Sequence, residues 1–161
     1  MKTVICDLPK KYIPKIENYN FISSVDCKYH CVGCFSCWIK TPSKCIISDE
    51  YNYICNSLNK SDELIIISNC RYACYSSDVK RVLERCIGYV LPYFEIRKGV
   101  IHHKSRYDNK LNFTVYFYGN IKEEDKTIIE NLVKANSINL NAKNYKVSYF
   151  KNIKEVIKCL H

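Results

Sequence analysis

The sequence predicts an α/β domain in which five parallel strands form one sheet covered by helices on both faces. Three observations carry this prediction. Strand-like runs alternate with helical stripes from one end of the chain to the other. The strongest run, "ELIIIS" at 63–68, is apolar almost without interruption, as in a strand buried on both sides. A chain of 161 residues, 47% hydrophobic and 25% charged, also has room for one domain with a substantial core and not for two comfortable ones. We therefore treat residues 1–161 as a single domain.

"TVICDL" (3–8) is the first strand signal, ended by Pro9, and "NFISSV" (20–25) is the second. Only about eleven residues separate them, the minimum for a crossover with a helix, so the first helix is expected to be shortened or absent. Tyr51, Ile54, Cys55 and Leu58 then step by three and four behind a cap at Asp49. After the 63–68 strand, Val79, Val82, Leu83, Cys86, Ile87 and Val90 form a helical stripe behind Ser77. "LNFTVYFYG" (111–119) is the fourth strand signal, rich in β-branched and aromatic residues. Asn120 with Glu123 resembles a capping box ahead of Ile128, Ile129, Leu132 and Val133. "YKVSYF" (145–150) and a last stripe of Ile153, Val156, Ile157 and Leu160 complete the pattern. In such sheets ligands bind outside the carboxyl ends of the strands. Two segments stand out there, the loop "SNCRYACYS" (68–76) and the long connection 91–110.

The apolar run near the N-terminus is far too short for a signal peptide, and no run approaches a membrane helix. A cytoplasmic protein is expected. The net charge of +9 raises the question of nucleic acid. Lys and Arg outnumber acids by eight to five in residues 1–60, nine to six in 61–110 and eight to five in 111–161. The positive charge is spread rather than concentrated in a stripe, which argues against a nucleic-acid binder.

Four of the eleven cysteines crowd into "CVGCFSCWIKTPSKC", spaced Cys31-x2-Cys34-x2-Cys37-x7-Cys45 within a cysteine-rich loop at 27–45. In a reducing compartment such a group points to metal, redox chemistry or packing rather than structural disulfides. Two-residue gaps let successive thiolates converge on an iron–sulfur cluster. Zinc also takes four thiolates, although usually as two separated Cys-x-x-Cys pairs. The bland alternative is four thiols without metal. Cys27 is a spare that serves as a resolving thiol or as loop. Cys6, Cys55, Cys86 and Cys159 fall on apolar runs and stripes and read as small core hydrophobes. His102 and His103 are neighbours in a strand-like stretch, would point opposite ways and make a poor metal pair.

Three stretches in order resemble one family. "CVGCFSCWIKTPSKC" is similar to a C-x-G-C-F-x-C-W-x-K-T-P-G-x-C motif, with Ser43 in place of glycine. "DELIIISNCRYACYSSDVKRVLER" resembles a strand, flavin-side loop and helix ending in K-x-x-L-D-R, with Glu84 in place of aspartate. "YVLPYF" and "HHKSRY" resemble the segment before the fourth strand. The family is the flavodoxin-like NAD(P)H-dependent FMN reductases, in particular the clostridial-type group with the iron–sulfur flavoproteins. The resemblance covers roughly residues 27–120. It implies a doubly wound sheet of order 2-1-3-4-5, FMN held by Asn69, Cys70, Arg71, Tyr72 and Ser76, and a 4Fe-4S cluster on Cys31, Cys34, Cys37 and Cys45. It also implies NAD(P)H or a redox partner protein as electron source, and a homo-oligomer with flavin sites at the subunit interface. The chain departs from the family at its first loop. A glycine- and serine-rich phosphate loop is replaced by Asp7, Leu8, Pro9 and Lys10. Two functions follow as expectations. One is a flavin-dependent oxidoreductase or electron-transfer protein, with or without a cluster. The other is a flavodoxin-like scaffold without flavin, acting as a thiol-based sensor, metal-binding or interaction module.

Overall fold

In the computed structural model, residues 1–97 and 99–160 are described. The main sheet consists of β1 (Lys2–Cys6), β2 (Tyr19–Ser23), β3 (Glu63–Asn69), β6 (Asn112–Tyr118) and β7 (Asn144–Phe150), all parallel and ordered β2-β1-β3-β6-β7. The expected order 2-1-3-4-5 is thus corrected to 2-1-3-6-7. The two extra strands are β4 (Val90–Arg97) and β5 (Val100–Ser105), an antiparallel hairpin that stands outside the main sheet. It occupies most of the connection at 91–110. Its signal was in the sequence: aromatic and β-branched residues on both sides of Gly99, which adopts a left-handed φ of 81°.

The helices are α1 (Ser36–Ile39), α2 (Ile54–Asn59), α3 (Ser77–Glu84), α4 (Glu123–Asn139) and α5 (Ile153–Lys158). Between β1 and β2 there is only a short 3₁₀ turn, Lys10–Tyr12, which buries nothing. The first crossover helix is therefore absent, as the short spacing predicts. Alternation along β3 puts Leu64 and Ile66 on one face and Ile65 and Ile67 on the other, and all four are buried. The first face packs on α2, α3 and α4 through Leu58, Val79, Val82, Ile129 and Val133. The second face, lacking the missing helix, is covered by Val156 and Leu160 around α5 and by partly buried aromatics such as Tyr19, Phe21 and Tyr116.

Local capping differs in detail from the expectation. Ser76, not Ser77, caps α3, accepting from the Val79 N–H at 3.4 Å. At α4 the Asp125 carboxylate reaches back to the Lys122 N–H, in place of the expected Asn120–Glu123 pair. The stripe 79–90 is helical only to Glu84. The chain then tightens into a 3₁₀ turn at Ile87–Tyr89, where Gly88 lies against the cysteine loop. A Cβ at Gly88 would sit 3.1 Å from Cys37 Cβ and 3.3 Å from Cys55 Sγ, so this close approach depends on glycine.

Candidate functional site

The cysteine loop curls because three of its residues have left-handed backbone: Gly33 (φ 65°), Phe35 (φ 53°) and Ser43 (φ 63°). Position 43 is where the resemblance expects glycine, and the structure supplies the reason. Ser43 holds the strained conformation while its hydroxyl donates to Asn56 Oδ1 at 3.0 Å. The curl brings Cys31, Cys34, Cys37 and Cys45 around one small cavity of about 30 Å³, whose wall also includes Arg85 and Ile87. All four thiols are free, and Cys34 is the exposed one. Among the described residues, no group of three or more His, Cys, Asp or Glu side chains is arranged to hold a metal ion.

Three arginines brace this loop from behind. Arg81 donates to the Cys27 carbonyl at 2.7 Å. Arg106 donates through Nε to the Gly88 carbonyl at 2.8 Å and through Nη2 to the Cys37 carbonyl at 3.4 Å. Arg85 is the most constrained, with a side chain 0% exposed and two 2.6 Å bonds to the Asp49 carboxylate. Its Nε–H is buried without a partner, beside a cavity lined by four thiols. Trp38 ties the same loop to the 3₁₀ turn by donating to the Ile87 carbonyl at 3.0 Å, and it stacks on Phe35 and against His103. His103 and His102 lie on opposite faces of β5, contacting Trp38 and Asn139 respectively.

The thiols differ in acidity. Hydrogen bonds from the Ser36 hydroxyl and then its backbone N–H lower the pKa of Cys34. Burial, followed by the neighbouring Cys45 and Cys31, raises that of Cys37. Burial pushes Cys6 and Cys55 up to about 12, and Cys86 well above its usual value. These three behave as the sequence suggested, as core. Cys159 is exposed and leaves that group.

The second candidate, Ser68–Ser76, follows β3. Arg71 and Cys74 form an antiparallel bridge around Tyr72 (φ 53°) and Ala73 (φ 55°), a tight turn that leaves Tyr72 fully exposed. Asn69 and Ser76 are occupied within the fold. Asn69 donates through its side chain to the Tyr118 carbonyl at 3.3 Å, and the Ser76 N–H donates to the Ser68 hydroxyl at 2.8 Å. Cys70 is partly buried, its N–H donating to the Tyr118 carbonyl at 2.9 Å. Arg71 and Tyr72 alone project freely. The two candidate sites lie at opposite ends of α3, the turn before it and the cysteine cavity after it. The helix between them has eight residues and is about 12 Å long.

The first loop is closed to a phosphate. Asp7 Oδ2 accepts from the Asn69 N–H at 2.6 Å and Oδ1 accepts from the Tyr118 hydroxyl at 2.9 Å, joining the ends of β1, β3 and β6. The Asp7 N–H is spent on the Ile67 carbonyl and the Lys10 N–H on Asp26, and Pro9 has none. A carboxylate thus stands where an incoming anion would need free N–H donors, and the residues present do not fit the FMN phosphate. Burial raises the Asp7 pKa despite these hydrogen bonds. A raised folded-state value means that the stability Asp7 contributes is complete below its unfolded pKa and is lost as pH rises through the folded one. Asp7→Asn is expected to flatten that loss, read as a smaller decline in urea midpoint as pH rises from about 4. An unchanged pH profile would show that the Asp7 proton is not linked to folding.

Asp49, Arg81 and Arg85 were not anticipated as parts of a site. Arg85 did have a signal, as the arginine closing the K-x-x-L-E-R stretch. Asp49 reads as a helix cap, and it does accept from the Tyr51 N–H at 3.0 Å, but its second task was not visible. No protein-family model matches this chain, and no curated protein is significantly similar to it.

Proposed function

We propose that the chain is a cysteine-centred redox or metal-binding module on a flavodoxin-like scaffold, whose 27–45 loop takes up a thiolate-ligated iron–sulfur centre. The observation that carries the reading is that Cys31, Cys34, Cys37 and Cys45 all border one cavity, whose wall also includes the buried Arg85 guanidinium with its unpartnered N–H. Four thiolates concentrate negative charge and accept hydrogen bonds, and the unpartnered Arg85 N–H is a buried donor beside them. A cluster supplies one-electron transfer when bound. The chain's own contribution is to hold four sulfurs on a loop curled by three left-handed residues, to brace that loop with Arg81, Arg85 and Arg106, and to screen one side with Trp38. The five-stranded parallel sheet and the closed first loop support a scaffold of this class that works without FMN. The free cysteines suit a reducing compartment such as the cytoplasm.

The test is anaerobic incubation with ferrous iron and sulfide, followed by visible spectroscopy and iron, sulfide and zinc assays on the desalted protein. A broad visible shoulder with bound iron, lost in Cys37→Ser, is the expected result. A colourless protein that retains zinc would replace iron by zinc, and one that retains neither would remove the metal reading.

A second reading is favoured by a different observation, the lowered pKa of exposed Cys34 three residues before partly buried Cys37. In this thiol-sensor reading the Cys34 thiolate attacks a disulfide oxidant, and Cys37 displaces the resulting mixed disulfide, leaving a protein disulfide and two released thiols. Oxidised glutathione should then remove two titratable thiols in wild type, whereas Cys37→Ser should stop at the mixed disulfide.

For flavin, the supporting feature is the Arg71–Tyr72 turn, where an exposed ring and a cation stand at the carboxyl end of β3. The first loop opposes the phosphate. FMN that binds at least tenfold more tightly than riboflavin would show a phosphate site elsewhere and restore the oxidoreductase reading.

A further inference from the structure

On the α2–α3–α4 face of the sheet lies a cavity of about 560 Å³, a volume typical of small-molecule sites. Leu83, Ile87, Val90 and Leu140 supply its partly exposed apolar lining, and Leu64, Ile66 and Phe113 lie behind them with almost no exposed surface. Its polar lining groups are partly engaged in hydrogen bonds. Asn136 donates to the Tyr75 hydroxyl at 3.2 Å, Asn139 pairs with His102 at 3.0 Å, and His103 Nδ1 donates to the Leu91 carbonyl at 2.8 Å. That last bond leaves His103 Nε2 as an acceptor in the neutral ring. Glu84 is the one charged side chain among the described lining residues, although the chain as a whole carries +9.

Two physical arguments follow. Apolar side chains facing a void of this size lose packing contacts, which a close-packed domain of this length does not discard without a use. A lining with no cation, in a chain so rich in lysine, is unsuited to a phosphate or carboxylate ligand. At one end the cavity meets the cysteine loop, and Cys31, Gly33 and Phe35 border both this space and the four-thiol cavity.

We propose that this cavity is a binding site for an uncharged lipophilic small molecule, seated among Leu83, Ile87, Val90 and Leu140 with one end against Cys31. The site takes a ring- or chain-shaped hydrocarbon body with at most one hydroxyl, which His103 Nε2 accepts. Of the four thiols Cys31 borders it, so the protein is tested metal-free.

The experiment titrates the metal-free, reduced protein with the neutral probe N-phenyl-1-naphthylamine. Expected are saturable one-to-one binding with blue-shifted emission and slower alkylation of Cys31 when the probe is present. Leu83→Trp and Glu84→Trp should each weaken binding tenfold or more, the first by filling the cavity and the second by crossing its mouth. Ile96→Ser/Ile101→Ser, which removes exposed apolar residues from the hairpin, should leave it unchanged. Glu84 is exposed, so its variant decides the matter if Leu83→Trp fails to fold. Binding that does not saturate, or that follows the hairpin variant and ignores Glu84→Trp, would overturn the site.

Discussion

Asp49→Ala is expected to destabilise the folded chain by about 3–5 kcal/mol, the cost of leaving a buried charge without its partner. Arg85 has no exposed side-chain surface and has Asp49 as its carboxylate, at 2.6 Å through both terminal nitrogens. Its other neighbours compensate weakly: Cys27 Sγ at 3.6 Å and the Tyr51 ring at 5.7 Å. The alanine variant keeps the guanidinium and removes its counter-charge. Asp49→Leu combined with Arg85→Met removes both charges and should recover most of the loss. Urea unfolding under reducing conditions measures each difference. A loss below about 1 kcal/mol for Asp49→Ala would place this pair with ordinary surface bridges. The pH dependence has a definite sign. The Arg85 hydrogen bond holds the Asp49 pKa below its usual value, so the stability it supplies is present above the unfolded carboxylate value and is lost as pH falls through the folded one. Arg85 also walls the thiol cavity, so the alanine variant should loosen the loop as well as the fold.

Limiting iodoacetamide at neutral pH should modify Cys34 first, with Cys55 and Cys6 slower by about a thousandfold or more. The nucleophile is the thiolate, and a pKa near 12 against an ordinary thiol value leaves roughly a thousandth of the reactive form. Burial of Cys6, Cys55 and Cys86 slows them further, whereas Cys34 is exposed and has its thiolate favoured by Ser36. Time-resolved peptide mapping by mass spectrometry gives the order. Ser36→Ala should slow Cys34 while leaving the other rates unchanged, because it removes the hydroxyl donor. If Cys34 reacts no faster than the average exposed thiol, or Ser36→Ala has no effect, the sensor reading loses its chemical basis.

Much of this molecule was legible along the chain because strand and helix patterns are local. Continuous burial of "ELIIIS" marks β3 as a central strand, and Ile65 and Ile67 facing opposite Leu64 and Ile66 is what that run requires. The short gap between the first two strand signals was enough to remove a helix. The four-cysteine loop stood out from spacing alone, and the core assignments of Cys6, Cys55 and Cys86 needed only periodicity. The hairpin at 90–105 was missed because its first residue, Val90, continues the helical stripe that runs through Ile87, and periodicity does not reveal where a helix ends against a tertiary contact. Here the α-helix ends at Glu84, and the 3₁₀ turn that follows brings Gly88 against Cys37.

By itself, the amino-acid sequence determined the parallel α/β sheet, the missing first crossover and the set of thiols available for chemistry. The tertiary structure decided what surrounds them. It placed Arg85, about forty residues beyond the last cysteine of the motif, against Asp49 and the thiol cavity, turned the Asp7 carboxylate into a bridge between three strand ends, and set the cysteine loop and the Arg71–Tyr72 turn at opposite ends of α3. Secondary-structure pattern depends on neighbours within one or two turns of chain. Charge pairing, closure of a phosphate loop and the distance between two sites depend on residues that meet only after the sheet has assembled.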